Sequence, residues 1–72
     1  MMPQARIRRM AVQSAAYELR VQPEEDYVDM DTFAEVATRA NEILRNTNLW
    51  EFMVDYEDID ADEVIDILDI DI

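Results

Sequence analysis

The residues of this chain that could do chemistry are almost all carboxylates. Eighteen Asp and Glu stand among 72 residues, with no His, no Cys and no Lys, so that all six cations are Arg. Acids, bases and nucleophiles therefore reduce to carboxylates, three Tyr and a few hydroxyls, and the only serine, Ser14, has no base near it in sequence. A carboxylate pair hydrolyses glycosides only where a sugar-binding cleft holds the two groups at a set separation. A chain of this length with helical patterning is poorly suited to build one. The chain also has no Gly, which removes the phosphate-cradling loop. The expectation is a protein that binds rather than catalyses, with no cofactor and no catalytic residue.

The absence of His and Cys also removes the common zinc ligand sets. Calcium is the metal to test. The run Asp58-Ile-Asp60-Ala-Asp62-Glu63-Val64-Ile65-Asp66-Ile67-Leu68-Asp69 resembles an EF-hand or dockerin loop. Acids fill loop places one, three, five, nine and twelve, and Ile fills place eight. The sixth place, where such loops use Gly for a sharp turn, is Glu63. The acids leave calcium open and Glu63 weighs against it, so no metal ligand is assigned. Within the same run, Glu63 to Leu68 resembles a SUMO-interacting motif, which implies addition of a strand to a partner's sheet edge. The alternative for the same residues is a helix packing its apolar face.

Charge is the stronger signal. The net charge of −12 is very unevenly placed. Residues 1–20 carry four Arg and one Glu, whereas residues 51–72 carry ten acids and no cation. Such a balance keeps a protein soluble, repels nucleic acid and anionic membranes, and attracts basic surfaces. The basic group Arg6, Arg8, Arg9 is short and is read as pairing with the acidic half of the same chain. Glu51, Asp55, Glu57, Asp58, Asp60, Asp62, Glu63 and Asp66 recur every one to four residues, and on helices they would line up at about 5–6 Å intervals. Together with Trp50, a candidate anchor, these are the expected partner-binding residues.

The elements that must position them follow from periodicity. Ile7, Ala11, Ala15 and Leu19 step by four, with Val12 and Ala16 widening the stripe, which predicts a basic helix over about 4–20. Pro23 and the acids after it break that helix. Thr32-Phe-Ala-Glu35 matches a capping box, and Phe33, Val36, Ala37, Ala40, Ile43 and Leu44 then predict a helix over about 33–46, with Glu35 and Arg39 as an i,i+4 pair. The acidic half, 48–72, opens on Asn48-Leu-Trp-Glu51, a second capped start. Beyond it, Asp60-Ala-Asp-Glu63 starts a further helix, although Leu68, Ile70 and Ile72 alternate with Asp69 and Asp71 as a strand would. Without Gly, the turns fall to Asn and Asp.

The fold expected is a single all-α domain over residues 1–72, a small bundle of three to four short helices with a C-terminal segment either helical or extended. Its expected core is Ile7, Ala15, Leu19, Phe33, Val36, Ala40, Ile43, Leu44, Leu49 and Met53. No apolar run reaches the ~18 residues of a membrane span, and the N-terminus lacks the apolar stretch of a signal peptide, so the expected location is the cytoplasm. The leading functional expectation is a small acidic inhibitor or regulator that mimics nucleic acid, of the anti-CRISPR or anti-restriction type, carried by a phage or a plasmid. It would bind a basic surface on a nucleic-acid-binding protein, and neither nucleic acid itself nor membrane. The alternatives are a structural adaptor or helical homodimer with a solvated acidic face, and an antitoxin-like regulator that binds through its acidic-apolar tail.

Overall fold

The computed structural model describes residues 4–21, 30–52 and 57–68. They form α1 (Gln4–Glu18), α2 (Met30–Asn46), a 3-10 turn (Leu49–Phe52) and α3 (Ala61–Leu68), with no strand among the described residues. The chain is an all-α bundle, as its periodicity predicts. α1 and α2 share the most extensive contact, and α3 packs on both.

α1 buries the stripe its spacing announces, Ile7, Ala11, Val12, Ala15 and Ala16. α2 answers with Phe33, Val36, Ala37, Ala40 and Leu44, while Ile43 and Leu49 pack partly buried at the rim. Small side chains at Ala11, Ala15, Ala37 and Ala40 let the two helices come close, since interaxial distance follows the side chains at the contact. Two core residues come from the acidic half: Ile59 and Val64, only 3% and 0% exposed. Met53, expected in the core, lies outside the described residues.

Three expectations are corrected. Leu19 is 42% exposed rather than buried. The reason is the way α1 ends. Arg20 takes a left-handed backbone, φ 57°. The Val21 N–H then donates to the Ala16 carbonyl at 2.9 Å and the Arg20 N–H to the Tyr17 carbonyl at 3.1 Å. This is a Schellman motif, in which the residue after the left-handed one folds back on the helix. Val21 therefore packs on the core and Leu19 is turned outward. Secondly, α2 begins at Met30, so Thr32 lies inside the helix and is not its cap. Met30 thus belongs to α2, and residues 22–29 lie outside the described set. Thirdly, Asn48 does not start a longer helix. It ends α2 in a left-handed conformation, φ 58°, and its carbonyl accepts the Glu51 N–H at 3.2 Å, which opens the short 3-10 turn. Asn tolerates that conformation better than other residues with a Cβ.

Arg20 has no such tolerance, and a prediction follows from it. A non-Gly residue pays about 1–2 kcal/mol for left-handed backbone. Replacing Arg20 with Gly removes that cost, partly offset by the greater freedom of Gly in the unfolded chain. The Arg20→Gly variant should gain about 0.5–1 kcal/mol, read as a rise of several degrees in Tm. Arg20→Ala should give no comparable gain, because Ala keeps the Cβ.

Candidate acidic interaction edge

α3 is set by its first residues. Asp60 is the N-cap: its Oδ1 accepts the Glu63 N–H at 2.8 Å, satisfying one of the N–H groups that a helix start leaves open. Asp62 and Glu63 in the first turn suit the positive end of the helix dipole. Val64 is buried, while Ile65, Ile67 and Leu68 pack against the core. Residues 61–68 are therefore helical, as one of the two readings of this segment expects. The alternating Asp69–Ile72 stretch lies outside the described residues.

This geometry separates the two motif resemblances from the fold. A calcium loop needs its acids to converge, but here the middle of the run is helix. Asp58 pairs outward with Arg45, Asp60 caps α3, and Glu63 turns to α1. Among the described residues no three acids gather as a metal site. The Glu63–Leu68 stretch is likewise a packed helix with Val64 in the core, not an extended strand open to a partner.

Among the described residues, three side chains hold the acidic segment against α1 and α2. The first is Asn41, a polar residue on the buried face of α2. Its Nδ2 donates to the Ile59 carbonyl at 3.1 Å and its Oδ1 accepts the Ile59 N–H at 2.8 Å. Both main-chain groups of a buried residue are thus satisfied by one amide. Sequence reasoning missed this clasp, yet a signal was present. Asn41 lies four residues after Ala37 on the apolar stripe, where a polar side chain requires a buried partner.

The second is Arg8. Its Nε and Nη2 donate to the two carboxylate oxygens of Glu63, at 2.5 and 2.6 Å, and its Nη1 donates to the Glu57 carbonyl at 2.7 Å. The Arg8 side chain is only 12% exposed. A two-pronged guanidinium–carboxylate contact is among the stronger hydrogen-bonded arrangements. Cations in the first turns of α1 oppose the positive end of its dipole, and for Arg8 the offsetting acid comes from α3. Arg6 and Arg9, by contrast, are exposed and form no ion pair among the described residues. The third side chain is Arg45, whose Nη2 donates to Asp58 Oδ1 at 2.9 Å. Both of these side chains are more than half exposed, so this pair contributes little.

Arg39 corrects another expectation. Its fork engages Glu18 on α1, at 2.9 and 3.0 Å, and its Nη1 reaches Glu42 at 3.1 Å, leaving Glu35 aside. Hydrogen bonds donated by Arg39 hold the Glu18 carboxyl below its ordinary value, against a smaller opposing effect of desolvation. Arg39 in turn is raised, chiefly by its hydrogen bonds to Glu18 and then Glu42. A lowered folded-state value means stability that is present above the unfolded carboxyl value, about 4.3, and lost as pH falls through the folded one. Accordingly, the difference in Tm between the native chain and Glu18→Gln should be largest near neutral pH and should close below about pH 4. Thermal melts of both proteins from pH 7 to pH 3 measure it.

The partner-binding residues expected from sequence thus fall into distinct groups. Glu51, Glu57, Asp62 and Asp66 are exposed and form no ion pair among the described residues. Asp62 and Asp66 stand one helical turn apart on the same side of α3. Asp58 and Asp60 are exposed but engaged, one with Arg45 and the other as the cap. Glu63 is half-buried under Arg8. Trp50, on the 3-10 turn, is 42% exposed rather than sealed in the core. Asp55 lies outside the described residues. The structure therefore presents an acidic edge along 57–66, backed by the core and bounded by Arg8. The outward side of α1 is different in kind, with Arg6, Arg9, Met10, Gln13 and Tyr17 exposed.

The chain matches no protein-family model, no curated protein and no solved structure. No helix among the described residues is long and apolar enough to cross a membrane.

Proposed function

We propose that this protein is a small acidic regulator or inhibitor that binds without catalysing, and that its acidic edge occupies a basic, nucleic-acid-binding groove on a partner protein. Inhibitors of the anti-CRISPR or anti-restriction kind have this physical character. The observation that carries the reading is the edge itself. Glu57, Asp62 and Asp66 are exposed and form no ion pair among the described residues, on a segment whose main chain is clasped to the core through Ile59. A charged surface held in one shape does not have to be ordered on binding, which lowers the cost of association.

The distribution of charge favours this reading over the two alternatives. An adaptor whose acids serve only solubility would carry them all round, whereas here they lie on α2 (Asp31, Glu35, Glu42), at Glu18 and Glu51 and along 57–66, and the outward face of α1 up to Tyr17 carries none. An antitoxin-like tail would order only on its partner, whereas 61–68 is a helix with Val64 in the core. The exposed Trp50 on the 3-10 turn is consistent with an apolar anchor, since aromatics buried on binding dominate many interfaces.

The test is affinity capture from cells of the protein's own host, at about 0.1 M and about 0.5 M salt. Opposite charges attract over roughly a Debye length, ~10 Å at 0.1 M and shorter as salt rises. The expected catch is a nucleic-acid-binding protein retained at low salt and lost at high salt. A catch equally strong in both conditions, with no basic protein in it, would reject the proposal.

A further inference from the structure

Segment 57–68 is joined to the rest of the bundle in a particular way. It carries six acids and no cation. It buries two side chains, Ile59 and Val64. Among the described residues, the hydrogen bonds that hold it from outside come from α1 and α2 side chains: Arg8, Asn41 and Arg45. The α1–α2 pair therefore offers a seat with an apolar floor, a main-chain clasp and two guanidinium groups. That chemistry fits an acidic amphipathic helix preceded by an extended residue.

The chain leading to this segment turns on Asn48. α2 stops at Asn46, and the left-handed Asn48 is what separates it from the 3-10 turn. If Asn48 took right-handed backbone, α2 would run on into Leu49–Phe52 and carry the acidic segment away from its own seat. Asn tolerates left-handed backbone without preferring it, so this turn is a point at which the closed form can open.

We infer that the α1–α2 pair is a receptor for an acidic amphipathic helix, and that in a second copy of this chain the 57–68 segment takes the same seat, giving a segment-swapped dimer hinged at Asn48. The charge complementarity that seats the segment within one chain, Arg8 on Glu63 and Arg45 on Asp58, is the complementarity that seats it between two. Exchange of identical elements is a low-cost route to dimers because no new contact has to be designed. Within one chain the tethered segment has an effective concentration of order mM. The monomer therefore prevails in dilute solution and the dimer at high concentration, or when the turn is opened. This inference is independent of any outside partner.

A pair of charge-reversed full-length chains tests it. Arg8→Glu alone sets two acids face to face, and Glu63→Arg alone sets two cations face to face. In a swapped heterodimer, one seat regains the native Arg8–Glu63 pair and the other gains the reversed pair. The two variants are denatured together and refolded in about 0.5 M salt, which screens net charge more than a partly buried pair. The mixture should give a helical species of twice the 8.5 kDa chain mass, with the two chains in equal amounts, which neither variant forms alone. Variants that stay separate, whether folded or unfolded, overturn the inference. A second arm uses the hinge. After refolding at about 1 mM, Asn48→Ala, which favours right-handed backbone, should hold at least about three times the dimer fraction of Asn48→Gly, which is at ease in the left-handed state. Equal fractions would overturn the hinge.

Discussion

Replacing Asn41 with Ala should cost this protein about 2–4 kcal/mol of stability. The Asn41 amide satisfies both the N–H and the carbonyl of Ile59, and Ile59 is buried. Truncation leaves two main-chain groups without partners, each at about 1–3 kcal/mol. A domain this small has little in reserve, about 3–5 kcal/mol from its core. The variant should therefore sit close to its unfolding midpoint at room temperature. Asn41→Asp should be no better, since it keeps an acceptor for the Ile59 N–H but loses the donor and buries a charge beside the acidic segment. Urea denaturation measures the loss. Hydrogen exchange should place the first opening at 57–68. An Asn41→Ala variant within about 0.5 kcal/mol of the native chain would mean that Ile59 finds other partners, and that the clasp does not hold the edge.

The second large effect concerns binding. Changing Glu51, Glu57, Asp62 and Asp66 to Gln or Asn together should weaken binding to the basic partner by several kcal/mol, since close interfacial charge pairs can each contribute ~1.5 or more. These four form no ion pair among the described residues, so the fold should keep its stability or gain from reduced self-repulsion. The neighbouring acids should behave differently. Asp60→Ala removes the N-cap of α3 and should cost about 1 kcal/mol, whereas Asp60→Asn should be nearly silent because Asn caps as well. Glu63→Gln should destabilise the fold by loosening the Arg8 fork. Circular dichroism with titration against the captured partner separates the two groups. If the fourfold neutral variant binds as tightly as the native chain, neither Glu51 nor the edge along 57–66 is the binding surface.

Sequence reasoning reached the features set by local spacing and stopped at those set by the assembled chain. The α1 and α2 stripes were legible because a step of three or four residues fixes a helix face before any tertiary contact forms. Leu19 obeyed the same step, but the left-handed backbone at Arg20 ended the helix one residue before it. The Glu35–Arg39 pair was a local possibility, and a two-pronged contact with Glu18 from another helix displaced it. Val64 was legible as part of an apolar helical face, whereas the burial of Ile59 could not be read from so acidic a stretch, because it depends on Asn41 reaching across from α2. For the site, the charge asymmetry was legible as composition. Which acids are free and which are engaged was not, because Asp60, Asp58 and Glu63 acquire their roles only after folding.

The most direct test of the account is competition between this protein and duplex DNA for the captured partner, measured by titration across salt concentrations. If the acidic edge stands in for nucleic acid, duplex DNA should displace the protein from the partner. The affinity should also fall steeply between about 0.05 and 0.5 M salt, as expected for attraction between opposite charges that a shortening Debye length screens. A partner that holds both ligands at once, or an affinity indifferent to salt, would contradict it and leave an apolar contact around Trp50 as the better account of what this protein binds.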